Sequence, residues 1–127
     1  MAGDAFGGVP DAKPRIPFGC TVEPAADVLT IRLRGEFDLG GVDRFTRAVE
    51  AAMADRPEHV ILDLRGLTFI DSSGLTAIMG LRSLLRKTTL TVMRGPDSVQ
   101  RVFEYTGLDS RLTFVSPEPP PEPRPAL

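Results

Sequence analysis

The segment Asp71-Ser72-Ser73-Gly74-Leu75 carries the residue types best suited to chemistry in this chain. It lies directly before a helical apolar pattern and so predicts a helix N-terminus, where Asp and Ser side chains accept hydrogen bonds from first-turn amides. Free amides and the helix dipole at such a position also stabilise a phosphate on a serine hydroxyl. The segment therefore has two interpretations: a plain helix cap, or a cap that also accepts a phosphate.

The same serines do not form the nucleophilic centre of a hydrolase. A nucleophilic serine needs a base in contact with it, and the single histidine, His59, precedes the strand that leads to the serines. Five strand residues at ~3.3 Å each separate the two by about 17 Å. The sequence also lacks a G-x-S-x-G elbow and the glycine-rich patterns that bind nucleotide phosphates. We therefore expect a protein that is not an enzyme and uses no cofactor.

Composition limits the remaining classes of function. With 15 Lys and Arg against 17 Asp and Glu, the formal net charge is -2, which disfavours direct nucleic-acid binding. One cysteine, Cys20, and one histidine, His59, cannot assemble a metal site of the usual kinds. The longest apolar stretches fall far short of the ~20 residues that cross a bilayer. We expect a cytoplasmic protein with no metal and no membrane insertion.

Apolar periodicity divides the centre of the chain into strands and helices. Strand patterns cover residues 18–23, 28–34, 60–64, 90–93 and 112–115. Helical spacing of apolar residues begins at Val42, Leu75 and Val99. The order β-β-α-β-α-β-α-β predicts an α/β sandwich with a mixed sheet of four to five strands. We expect Leu62 and Ile78 to be buried where the central strand meets the second helix.

The two ends of the chain differ in composition from its centre. Residues 1–15 are rich in glycine and proline and contain few apolar residues, and residues 117–127 contain six prolines. Such segments cannot bury enough apolar surface to offset the entropy lost on ordering. We predict a disordered tail at residues 1–15, one domain at residues 16–116, and a disordered proline-rich tail at residues 117–127.

Three blocks of the chain resemble the STAS domain, and most closely the STAS domains of bacterial anti-sigma factor antagonists. The blocks are Gly35-Glu36-Phe37-Asp38, residues 61–75, and Gly107-Leu108. The resemblance covers residues 16–116 and implies a STAS-type α/β sandwich. It also implies a regulatory protein that, when dephosphorylated, binds an anti-sigma factor and so frees a sigma factor.

The resemblance also assigns roles to single residues. Ser73 matches the residue that the family phosphorylates, and its neighbour Ser72 is the alternative acceptor. In the family, the anti-sigma factor is itself a serine kinase that binds the ATP, and a PP2C-type phosphatase removes the phosphate. The implied partner-binding residues are Glu36, Asp38, Asp71, Ser72, Ser73 and Gly74.

Other functions compete with this interpretation. A STAS domain that regulates a membrane transporter would use the same loop and helix to dock onto another protein without phosphorylation. The two hydroxyls of the segment favour the phosphorylation switch, and the transporter interpretation stays open. A receiver phosphorylated on aspartate fits less well. Such a receiver needs a lysine late in its fold, and neither Lys13 nor Lys87 follows the last strand.

Overall fold

A single sheet with helices packed on it forms the part of the chain that the computed structural model describes, residues 15–116. The strands are β1 (Gly19–Ala25), β2 (Val28–Phe37), β3 (His59–Ile70), β4 (Thr89–Met93) and β5 (Phe114–Val115). The helices are α1 (Val42–Met53), α2 (Ser72–Leu84) and α3 (Asp97–Tyr105), with 3-10 helices at Leu39–Gly41 and Leu108–Arg111. The predicted element order and the mixed α/β class are confirmed.

Strand order in the sheet follows the order along the chain, β1-β2-β3-β4-β5. β1 and β2 are antiparallel, and the pairs from β2 to β5 are parallel. Right-handed crossovers that add parallel strands in one direction place their helices on one face of the sheet. Accordingly, Phe45 of α1 packs on Phe37, and Phe103 of α3 packs on Phe114 of the same face. The opposite face carries polar side chains such as Arg32 of β2.

The hydrophobic core lies between the sheet and the helices. Leu62 of β3 and Ile78 of α2 are both 0% exposed, which confirms their predicted burial. Truncation of a side chain this buried typically costs about 2–5 kcal/mol, so each anchors the contact between its element and the core. The largest fully buried side chains are Phe37, Phe45, Phe103, Ile31, Leu33, Leu62, Leu64, Leu67, Ile78, Val60, Val92 and Val99.

β3 is longer than the apolar run at residues 60–64 predicts, because it continues to Ile70. Its pairing with β2 shifts register between Arg32 and Arg34 and again between Gly35 and Glu36. The sequence prediction relied on the continuous apolar run, which ends at Leu64, whereas the strand continues through these irregularities with exposed residues among buried ones. β2 and β3 nevertheless end together, at Phe37 and Ile70.

Smaller differences lie at the ends of the sheet. The β1–β2 turn is tighter than predicted, because pairing continues to Ala25 and Val28 and leaves only two residues between the strands. β5 is shorter than predicted, because a 3-10 helix occupies Leu108–Arg111 just before it. Apart from Arg15, the predicted tails at residues 1–15 and 117–127 lie outside the described residues.

Candidate functional site at the N-terminus of α2

The predicted site residues meet where β2 and β3 end. Phe37 pairs with Ile70 across the two strands, and the next residue along, Asp71, donates its backbone N–H to the Phe37 carbonyl (3.2 Å). That hydrogen bond fixes the start of α2 beside the residue that precedes Asp38. The two acidic loops that the sequence singled out are therefore neighbours in the fold.

Asp71 is the N-cap of α2. One oxygen of its carboxylate accepts hydrogen bonds from the backbone N–H groups of Ser73 (2.9 Å) and Gly74 (3.2 Å). Its extended backbone is typical of a cap residue. The cap interpretation of this segment is thereby confirmed. It also means that two first-turn amides already bind a carboxylate, so a phosphate on a serine would add its charge to an anionic cluster.

The two serines differ in exposure. Ser72 is exposed at the first position of α2, and Ser73 is half-buried at the next position. The Ser72 carbonyl accepts a hydrogen bond from the Thr76 hydroxyl (2.8 Å). Both serine side chains belong to the first turn of a helix that strand ends hold in place.

Gly74 is buried and is required for packing. A Cβ atom built on it would lie 2.7 Å from the Phe37 carbonyl oxygen and 2.8 Å from the Ile70 side chain. Any larger residue would push the first turn of α2 away from the strand ends. Gly74 was predicted as a partner-binding residue, and within the described part of the chain its contacts are with the chain itself. This packing fixes the position of the turn that carries the two serines.

Glu36 and Asp38 form an acidic pair beside this turn. Asp38 caps the 3-10 helix Leu39–Gly41 through a hydrogen bond from the Gly40 N–H (3.0 Å). The guanidinium of Arg15 forms ion pairs with Asp38 and with Glu36 (3.5 Å). The two carboxylates are about one-fifth exposed, whereas Arg15 is mostly exposed. The acids are thus accessible at their edge and already hold a cation.

Two exposed apolar side chains near this site were missed by sequence reasoning. Leu39 is 74% exposed in the 3-10 helix that follows Asp38, and that 3-10 helix contacts α2. Phe69 is 46% exposed and pairs with Glu36 across β2 and β3. The sequence pattern does not reveal the exposure of either side chain. Leu39 lies in a 3-10 helix, and Phe69 lies beyond the register shifts between β2 and β3. Exposed apolar groups beside charged ones are typical of protein-binding surfaces.

Two cavities help to delimit the site. A cleft of about 230 Å³ lies against the acidic pair, and the charged residues that line it are Arg15, Glu36, Asp38 and Arg44. A larger cleft of about 520 Å³ lies at the far end of α2, and none of the predicted site residues lines it. Within residues 15–116, no group of three His, Cys, Asp or Glu side chains is arranged to hold a metal ion.

Cys20 and His59, the two chemically versatile residues noted above, lie away from the site. His59 is exposed at the first position of β3, at the end of the strand opposite to the serines. Cys20 is half-buried in β1, and burial raises the pKa of its thiol to about 11, although the nearby Arg34 acts in the opposite direction. A thiol with this pKa is protonated and unreactive near neutral pH.

The chain belongs to the STAS domain family, whose sequence profile matches residues 21–118. It is similar to the anti-sigma F factor antagonist of Paenibacillus polymyxa, with 34% identity over 64% of this chain and 72% of that protein. The antagonist of the same name from Lysinibacillus sphaericus is 32% identical over 65% of this chain and 73% of that protein.

Solved structures agree with the family assignment. The crystal structure of an anti-sigma factor antagonist from Mycobacterium paratuberculosis superposes with a TM-score of 0.72 and 25% identity. The match covers 77% of this chain and 85% of that structure. In the described part of the chain, no helix is both long enough and apolar enough to cross a membrane.

Proposed function

We propose that this chain is an anti-sigma factor antagonist controlled by phosphorylation of Ser73. In the dephosphorylated form it binds an anti-sigma factor that is also a serine kinase, and a sigma factor is freed. The kinase uses ATP to phosphorylate Ser73, with Ser72 as the alternative acceptor, and the complex separates. A PP2C-type phosphatase regenerates the binding form. The chain itself is regulatory and catalyses none of these steps.

The observation that supports the proposal is that both serines lie in a helical turn capped by Asp71 and adjoining the Asp38 loop. Asp71 caps the helix that bears both serines, and the Asp38 loop is fixed beside it through the Asp71–Phe37 hydrogen bond. Leu39 and Phe69 add exposed apolar surface nearby. The names of the relatives from P. polymyxa and L. sphaericus support an anti-sigma factor as the partner.

The same placement explains how a phosphate would end binding without unfolding the chain. A phosphoserine adds about -1.5 to -2 charge, here beside Asp71 and Asp38. An acidic group on the partner ~6 Å away would be repelled by about 3 kcal/mol per unit charge at an effective dielectric of ~20. Each ~1.4 kcal/mol lowers affinity tenfold. The helix N-terminus tolerates the added anion, so we expect the fold to survive while the complex dissociates.

The first test is phosphorylation by candidate anti-sigma factor kinases from the same genome, read by mass spectrometry. We expect phosphate on Ser73, none on Ser73→Ala, and retained phosphorylation on the matched control Ser72→Ala. Phosphate on Ser72 instead would move the acceptor by one residue. Modification of neither serine, together with capture of a transport ATPase on the immobilised chain, would replace this proposal with the transporter-regulator function.

Binding supplies the second test. Ser73→Ala should bind the anti-sigma factor persistently in the presence of ATP, because it cannot accept phosphate. Ser73→Asp should fold normally and bind more weakly, with a smaller defect than a phosphate produces, since it carries less charge. Wild-type affinity of the Ser73→Asp variant, measured by calorimetry, would argue against electrostatic release.

A further inference from the structure

Residues 15–18, here called the N-terminal strap, cross the end of β2 and cover one side of the acidic pair. The Ile16 N–H donates to the Glu36 carboxylate (2.8 Å), and the Glu36 N–H donates to the Ile16 carbonyl (3.0 Å). The Arg44 guanidinium of α1 donates to the Phe18 carbonyl (2.8 Å). These contacts tie the strap to both β2 and α1.

Glycines at two positions allow the strap to lie close to the rest of the domain. Gly35 has φ +78° and its Cα faces the Pro17 carbonyl so closely that a Cβ there would collide with it. A Cβ on Gly41 would lie 2.7 Å from the Phe18 ring. That ring is buried and stacks on Phe37, with centroids 4.3 Å apart. Residues 16–18 are therefore held by packing that only glycine at these two positions allows.

Arg15 is placed differently from the rest of the strap. Its side chain is 69% exposed, and its described polar contacts are the ion pairs with Glu36 and Asp38. An exposed ion pair contributes little free energy, so the guanidinium can leave the acids while residues 16–18 stay in place. The acids that face a partner are therefore occupied by a cation that the chain itself supplies and can release.

We propose that Arg15 is an intramolecular competitor for the partner-binding surface: it occupies Glu36 and Asp38 in the free protein and must be displaced when the partner binds. The inference rests on the proposed function, since it concerns the same surface. A positively charged partner group would bind these carboxylates in place of the guanidinium. Occupation of the two acids by Arg15 thereby lowers the affinity of the dephosphorylated form for the partner.

The test is calorimetric titration of the full chain with the anti-sigma factor that the phosphorylation and capture experiments identify. Arg15→Ala should bind about two- to fivefold more tightly than the wild type, the range expected for loss of an exposed ion-pair contact. Arg15→Lys, which keeps the positive charge, should lie closer to the wild type. Arg101→Ala is the matched control, because it removes an exposed arginine from α3 and changes the net charge equally.

Each outcome separates competition from other roles. Equal or weaker binding of Arg15→Ala overturns the inference, and weaker binding would make Arg15 part of the interface. Tighter binding of Arg101→Ala by the same factor also overturns it, because the effect would then come from net charge alone. A chain that binds no anti-sigma factor overturns both this inference and the proposed function, whereas a chain that binds one without any Arg15 effect overturns only this inference. The Ile16 and Glu36 amide signals of Arg15→Ala, followed by NMR, should stay those of a closed strap.

Discussion

At the scale of single residues, two glycines in α2 allow the effect of packing on stability to be measured separately from the effect of intrinsic helix preference. Gly74 has no room for a Cβ, whereas nothing lies within 4 Å of the Cβ position on Gly80. Gly74→Ala should lower the free energy of unfolding by about 1–3 kcal/mol, because the first turn must move off Phe37 and Ile70. Gly80→Ala should raise it by about 0.5–1 kcal/mol, since alanine is the better helix former.

Urea denaturation of the two variants measures this difference directly. The comparison is controlled internally, since both changes add the same methyl group to the same helix. Equal changes in the free energy of unfolding for the two variants would mean that the collision at Gly74 is relieved at no cost. A stabilised Gly74→Ala would contradict the close contact between α2 and the ends of β2 and β3.

Sequence reasoning succeeded for residues whose roles are local. The Asp-Ser-Ser-Gly segment places a cap, two hydroxyls and a glycine within one helical turn, so their proximity follows from helix geometry alone. Arg15 and Glu36 are distant in sequence, and their contact arises only because Gly35 lets the strap approach β2. The exposure of Phe69 likewise depends on pairing irregularities that no periodic pattern predicts.

At the scale of elements, β3 contains a carboxylate whose ionisation supports its irregular middle. The Asp63 carboxylate is almost fully buried and accepts hydrogen bonds from the Arg65 backbone N–H (3.0 Å) and guanidinium (3.0 and 2.9 Å). Burial raises the pKa of Asp63, but the hydrogen bonds and charge of Arg65, with the charge of Arg32, outweigh it and hold the pKa below its usual range. The carboxylate form is therefore favoured by folding.

This lowered pKa makes stability depend on pH in a definite direction. Because the folded-state pKa lies below the unfolded value of ~3.9, the contribution of Asp63 is complete above about pH 5. It is lost as the pH falls through the folded-state pKa. Asp63→Asn should therefore lose less stability than the wild type between about pH 5 and pH 2. Parallel stability curves for the two proteins, from urea denaturation across this range, would contradict the argument.

At the scale of the whole molecule, the terminal segments should be dispensable for folding. Residues 1–14 lie outside the family match, and residues 117–127 lie outside it except for the first two. Both segments contain too few apolar residues to offset the entropy lost on ordering. A chain of residues 15–116 keeps the strap intact and should melt within about 4 °C of the full chain, or roughly 1 kcal/mol for this size. A larger fall, measured by calorimetry, would show that a tail packs on the domain.

The outer strands of the sheet affect whether strands of other chains can pair with this one. An edge strand exposes N–H and C=O groups that can recruit a strand from another molecule, either in recognition or in aggregation. Here one edge, β5, is only two residues long, and the other, β1, contains Pro24, which has no N–H to donate. Both edges are poor templates for strand addition. Growth of the sheet from one molecule into the next is thus discouraged, and a chain with two such edges should stay separate from its copies at the sheet.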